Sequence, residues 1–249
     1  MPIFNDDDAK SATSFKSGSG FHFSGTNINN LGASEYTLVG IAADVSSSVS
    51  GFAKEIEGCL VSSIEGCQKS PRADNLLARF TTFCARITEE HGFRPLADCH
   101  LANYAGSIRP GGTTALYDAS VDIVDSLATY GKDLTARDYT ANGIVVVMTD
   151  GMDVGSTLTA KAVAEAVRRA RASESLESLV TILVGINVTD PEVSKYLKQF
   201  KDDAGFDQYV EAKDATPKTF SKIAGFISKS VSSQSQSLGT GSASQPITF

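Results

Sequence analysis

The chain has 249 residues, 41% of them hydrophobic and 20% charged, enough to bury a substantial core and unlike a disordered chain. That length suits one large α/β domain rather than several small ones. Lys and Arg total 22 against 29 Asp and Glu, for a formal net charge of −7, which excludes a basic nucleic-acid footprint. The densest basic cluster, Arg168, Arg169 and Arg171, falls on an amphipathic helical pattern and reads as a solvated helix face.

Residues 1–33 are rich in Ser, Gly, Asn and Asp and read as an N-terminal arm, partly extended, with Phe21-His-Phe23 as a short strand packed on the domain. The N-terminus has neither a basic region nor an apolar one, so no signal peptide is expected. No run approaches about 18 apolar residues, so no membrane span is expected either. The four cysteines, Cys59, Cys67, Cys84 and Cys99, form no Cys-x-x-Cys pair and sit among apolar residues. Buried thiols in a reducing, cytoplasmic compartment follow from that reading. Asn187-Val-Thr189 fits a glycosylation sequon, taken here as chance.

A main domain is expected over residues 34–231. Tyr36 to Ala43 is an unbroken apolar run, the pattern of a strand buried on both faces, and it stops at Asp44, Ser46 and Ser48. Val49, Phe52, Ile56, Leu60 and Ile64 then recur at helical spacing. Asn75 to Phe83 reads as a second strand, His91-Gly-Phe-Arg-Pro95 as a turn, and Leu96 to Tyr104 as short strand or irregular chain. Arg109-Pro-Gly-Gly-Thr-Thr opens a loop, and Leu116, Ala119, Ile123, Val124 and Leu127 mark a helix. Asn142 to Thr149 is another buried strand and ends at Asp150. Ser156 is a candidate cap for a helix through about Ala172, Leu179 to Ile186 is a third buried strand, and Pro191 opens a helix. Gln208 to Glu211 reads as a short edge strand, and Pro217 opens a last helix with Phe220, Ile223, Ile227 and Val231 on one face. Residues 232–249 read as a Ser/Gln-rich flexible tail. The alternation predicts an α/β fold: a doubly wound, mainly parallel sheet with helices on both faces.

In such a sheet, ligands bind where the carboxyl ends of neighbouring strands meet. The loops that begin at Asp44 and at Asp150, with the Thr113–Thr114 loop, carry two carboxylates and several hydroxyls but no His or Cys. Hard oxygen donors of that kind select Mg²⁺, with Mn²⁺ or Ca²⁺ possible, over zinc or copper. Ser46 to Ser48 taken alone would serve equally as helix caps. His91, Cys99 and His100 lack a fourth zinc ligand at workable spacing.

Asp44-x-Ser46-x-Ser48 after a buried strand, Gly112-Thr-Thr-Ala-Leu-Tyr-Asp118 and Met148-Thr-Asp150-Gly-Met-Asp153 together resemble, in order and spacing, the three motifs of the von Willebrand factor type A domain. The resemblance covers roughly residues 36–231 and implies a Rossmann-like, six-stranded fold with a metal-ion-dependent adhesion site. By that likeness Ser46, Ser48 and Thr114 would ligate the ion, while Asp44 and Asp150 would act largely through water. Alignment on the preceding glycines would choose Thr113 instead of Thr114. The implied function is non-enzymatic: binding an Asp, a Glu or a C-terminal carboxylate of a partner protein through Mg²⁺, as a scaffold or assembly component, with an AAA-type ATPase or self-assembly as further associations. The alternative is a Mg²⁺-dependent phosphoryl-transfer enzyme using Asp44 as nucleophile, but Ser46 stands where such an enzyme carries a second Asp. No phosphate-binding G-x-x-x-x-G-K-[ST] and no G-x-S-x-G hydrolase motif occurs.

Overall fold

The computed structural model describes residues 12–243 and 247–249. Eight strands form one sheet: β1 (Ala12–Lys16), β2 (His22–Thr26), β3 (Glu35–Asp44), β4 (Leu76–Phe83), β5 (Ile87–Pro95), β6 (Thr140–Thr149), β7 (Leu179–Gly185) and β8 (Gln208–Glu211). Their spatial order is β1-β2-β5-β4-β3-β6-β7-β8. The block from β4 through β3, β6 and β7 to β8 is parallel throughout, while β5 runs antiparallel to β4 and β1 antiparallel to β2. Five helices complete the fold: α1 (Ala53–Gln68), α2 (Leu116–Thr135), α3 (Ala160–Ala172), α4 (Pro191–Ala204) and α5 (Pro217–Thr240).

The apolar run of β3 shows how the layers arise. Successive side chains of a strand point to opposite faces, so a run with no polar member must be covered twice. Val39, Ile41 and Ala43 pack into a core with α1 and α5. Leu38 and Ala42 pack into a second core with α2, α3 and α4. Gly40 lets α2 approach closely, since a Cβ there would lie 2.6 Å from Leu127 and 2.8 Å from Ile123.

The sheet has eight strands rather than six, because β1 and β2 extend it through β5. The Ser/Gly-rich composition of this segment hides two anchors. Phe23 meets Phe93 edge-on at 6.0 Å and stacks on Phe15 at 5.2 Å. Ser24 donates from its backbone N–H and its hydroxyl to Glu89, at 3.0 and 2.6 Å. The 91–95 stretch is strand and not turn. Gly92 serves close strand approach there, since a Cβ would lie 2.0 Å from the Ser24 carbonyl oxygen.

α5 likewise takes in the first nine residues of the expected tail, 232–240, and ends at Thr240. Its last turns lie on polar partners: Asn142 Nδ2 donates to the Gln234 carbonyl at 2.8 Å, and Arg72 Nε donates to Ser235 Oγ at 3.0 Å. Beyond it, Gln208 Nε2 donates to the Ile247 carbonyl at 2.7 Å, and Phe249 meets Phe226 edge-on. Among the described residues, no helix is long and apolar enough to cross a membrane.

Cys59, Cys67 and Cys99 are buried and Cys84 is half-buried. Two of the three clustered arginines are structural ties. Arg169 pairs with Asp125 on α2 at 3.1 Å, and Arg171 pairs with Asp207 at 2.7 Å.

Candidate functional site

The strand order puts β3 between β4 and β6, so the loops after these three strands share one sheet edge. Asp44 ends β3 and is 1% exposed. Both of its oxygens are engaged: Oδ1 accepts the Ser46 backbone N–H at 2.7 Å, and Oδ2 accepts the Thr149 hydroxyl at 2.6 Å. That clamp holds the turn in which Ser46, extended at φ −62° and ψ 168°, leads into a short 3-10 turn over Ser47–Gly51. Ser46 Oγ lies 3.0 Å from Ser48 Oγ, and Ser48 Oγ donates to Asp150 Oδ1 at 2.8 Å. Asp44, Ser46, Ser48 and Asp150 are thus one connected group. Its inner members are buried, Ser48 is exposed and Asp150 is half-buried.

The third loop is tied to both others. The Gly112 carbonyl accepts from the Ser47 backbone N–H at 3.1 Å and from its hydroxyl at 3.2 Å, and Gly111 N–H donates to the Val45 carbonyl at 2.7 Å. The Thr114 carbonyl accepts from Val154 and Gly155 N–H at 2.9 and 3.0 Å. Thr114 is buried beside this junction. Thr113 is exposed, with its hydroxyl against Gly155. Gly112 holds φ +81°, a left-handed turn suited to glycine.

Electrostatically the group is short of positive charge. Burial pushes the Asp44 carboxyl from an ordinary 3.8 up to about 6; hydrogen bonds from Thr149 and Ser46 oppose that rise and the Asp150 charge adds to it. Burial also raises Asp150, against the Ser48 hydrogen bond. No cationic side chain figures among the groups that shift either carboxyl.

The donors fit a hard divalent cation. Mg²⁺ takes near-octahedral oxygen ligands at about 2.1 Å, which sets adjacent ligand oxygens about 3 Å apart. The Ser46–Ser48 and Ser48–Asp150 oxygen separations, 3.0 and 2.8 Å, match that edge. Asp44, with both oxygens engaged, is placed to orient Ser46. Among the described residues, no three His, Cys, Asp or Glu side chains gather to hold a metal by themselves. His91 in particular is buried, with its ring nitrogens on the Gly92 carbonyl and the Tyr104 hydroxyl at 2.9 and 2.8 Å.

Neither a protein-family model nor a curated protein matches the sequence. Solved structures share the fold. The PilB minor pilin from Streptococcus sanguinis aligns with a TM-score of 0.56 at 13% identity, over 90% of this chain and 67% of that one. The pilus adhesin SpaC from Lactobacillus rhamnosus GG, in its open conformation, gives 0.57 at 11% identity, over 86% of this chain and 32% of that one. Proximal thread matrix protein 1 from the mussel byssus gives 0.52 at 16% identity, over 80% and 46%. This chain therefore spans about a third of SpaC and under half of the byssal protein. At these identities the likeness is one of fold.

Several residues that build the site carry little sequence signal. Thr149 is read as the end of a buried strand, yet its hydroxyl holds Asp44. Ser156, expected to cap α3, instead caps α2, accepting from Tyr117 and Asp118 N–H at 3.0 and 3.1 Å. Thr159 caps α3. Asp153 turns inward, with Oδ1 2.5 Å from Ser156 Oγ and 3.3 Å from Tyr117 N. Asp118 answers by accepting from Thr157 and Leu158 N–H.

Proposed function

We propose that the chain is a von Willebrand factor type A domain that binds a partner protein through a divalent cation, with Mg²⁺ the expected ion. Ser46, Ser48 and Asp150 would hold the ion, Thr114 would be the further hydroxyl donor, and Asp44 would orient Ser46. The observation that carries this reading is the Ser46–Ser48–Asp150 chain of oxygens at octahedral-edge spacing, next to two carboxyls that burial raises. Neutral hydroxyls leave a bound dication only partly neutralised, so a carboxylate from outside completes the shell. Ser48 is exposed and Asp150 half-buried, which leaves that carboxylate an approach. A phosphoryl-transfer role fits less well, because the supposed nucleophile Asp44 is buried with both oxygens already bonded. A compartment that keeps the four cysteines reduced, such as the cytoplasm, belongs to the same proposal.

The test is calorimetric titration of Mg²⁺ and Mn²⁺ into the chain and into Ser48→Ala and Asp150→Ala variants. One ion per chain, lost in both variants, is expected. Equal binding by all three proteins would place the ion elsewhere and end the proposal.

A further inference from the structure

Among the described residues three large apolar side chains stand exposed, and two of them, Met152 at 41% and Val154 at 72%, lie on the short loop that follows Asp150. Scattered surface apolar residues call for no explanation, but this pair is displayed by a held loop. Val154 and Gly155 N–H are bound to the Thr114 carbonyl, Asp153 N–H donates to the Tyr196 hydroxyl at 3.2 Å, and the Asp153 carboxylate is turned in to Ser156. The loop thus spends its polar groups inward and presents its two apolar side chains outward.

The opposite flank has a different character. Across β3, the loop after β4 carries Arg86, and the segment leading to Gly111 carries Arg109; both are exposed. Arg109 Nε donates to the Gly106 carbonyl at 2.9 Å, and neither arginine joins an ion pair among the described residues. Gly112 brings these two stretches together, its Cα side facing Cys84 and Ala85. Along the sheet edge, therefore, positive charge lies on one side of the oxygen cluster and an apolar step on the other. In a chain of net charge −7, two exposed arginines on the same sheet edge favour an acidic visitor.

We infer that the cluster recognises a peptide segment in which the ligating carboxylate is flanked, on the Met152–Val154 side, by a bulky aliphatic side chain and, on the Arg86–Arg109 side, by further acidic charge. This deepens the metal-site reading and rests on it. Burying one leucine side chain against Met152 and Val154 is expected to improve affinity at least about tenfold.

The probes are short Gly/Ser peptides with a central Glu. One is otherwise plain, one carries Asp and Leu on opposite flanks, one has those flanks reversed, and one replaces the Glu by Gln. Fluorescence anisotropy in Mg²⁺ is run on the full chain, on Met152→Ser with Val154→Ser, and on Arg86→Ser with Arg109→Ser. All four positions are exposed, so folding is expected to survive. Mg²⁺ titration alone is measured first. One flanked peptide is expected to bind about tenfold tighter than the plain one, with the gain lost in the Met152/Val154 variant and the salt dependence reduced in the arginine variant. If Mg²⁺ binds and Glu outperforms Gln, but neither flanked peptide exceeds the plain one, the flank assignment is overturned while the metal reading stands. If the flanked gain persists in the Met152/Val154 variant, the apolar step is misassigned. Absence of any bound ion removes both readings.

Discussion

Replacing Asp44 by Asn tests whether the buried carboxylate is tolerated for the sake of a cation. The carboxyl is raised from 3.8 to about 6 by burial, so folding without metal penalises its ionised form relative to the unfolded chain. For an acid raised in the folded state, stability is highest below the unfolded value, falls as pH rises through the interval up to about 6, and stays low above it. The difference, roughly two pH units at about 1.4 kcal/mol each, makes the ionised group cost about 3 kcal/mol near neutral pH. Asn keeps the oxygen that accepts the Ser46 N–H, and the Thr149 hydroxyl can turn to accept from the new amide. In EDTA near neutral pH, Asp44→Asn is therefore expected to be more stable than the parent by about 1–3 kcal/mol, or several degrees in melting temperature for a domain of this size. Mg²⁺ should reverse the balance. At about 100 times its dissociation constant a ligand stabilises by about 2.7 kcal/mol, and only the parent should gain most of that. Thermal and urea unfolding of both proteins, with EDTA and with Mg²⁺, supply the four values. A variant clearly less stable than the parent in EDTA would refute the desolvation argument, and equal Mg²⁺ stabilisation of the two proteins would refute the site.

Other consequences are independent of the metal. His91 is held neutral, pushed down to about 3 mainly by burial and next by Arg94. A base lowered in the folded state contributes stability above its unfolded value and loses it as pH falls, so by about pH 5 the parent should lose about 2 kcal/mol relative to His91→Gln; parallel pH profiles of the two proteins would contradict this. Arg79 is buried between Asp122 at 2.8 Å and Glu89 at 2.9 Å. Asp122→Ala, which removes one of its two carboxylate partners, is expected to cost about 2–3 kcal/mol in urea unfolding. Lys69→Ala, which breaks a pair with Glu65 whose side chains are 72% and 46% exposed, should cost under about 1 kcal/mol, and comparable losses would show that burial is not what separates the pairs. Gly92→Ala drives a methyl group into the Ser24 carbonyl, so β1 and β2 should lose hydrogen-exchange protection over 12–26 while β3 and β6 keep theirs; unchanged protection over 12–26 would rule out the close approach as the reason for glycine.

Much of the fold was legible in the sequence because its strongest signals are local. Leu38 to Ala43, Ile144 to Met148 and Leu179 to Val184 are apolar on both faces, and such runs announce strands covered by helices whatever the rest of the chain does. Pro191 and Pro217 opened helices where expected. Weak local patterns misled. The Gly and Pro of 91–95 signal a turn in isolation, but Gly92 is required by a strand arriving from Ser24. The Ser- and Gln-rich stretch after residue 231 looks disordered, but it continues a helix because Asn142 and Arg72 supply partners for its polar groups.

The sequence by itself determined the α/β class, the all-apolar strands and the oxygen-bearing residues that terminate two of them. Those properties depend on each residue's own chemistry and its near neighbours. Tertiary structure alone decided that β3 lies between β4 and β6, which brings Asp150 to Ser48 across 102 positions of chain. It also decided that Thr149 clamps Asp44, that Asp153 turns inward, and that Met152 and Val154 face solvent. Strand order and loop contacts come from the packing of distant segments, and no residue carries that information until its partner is in place.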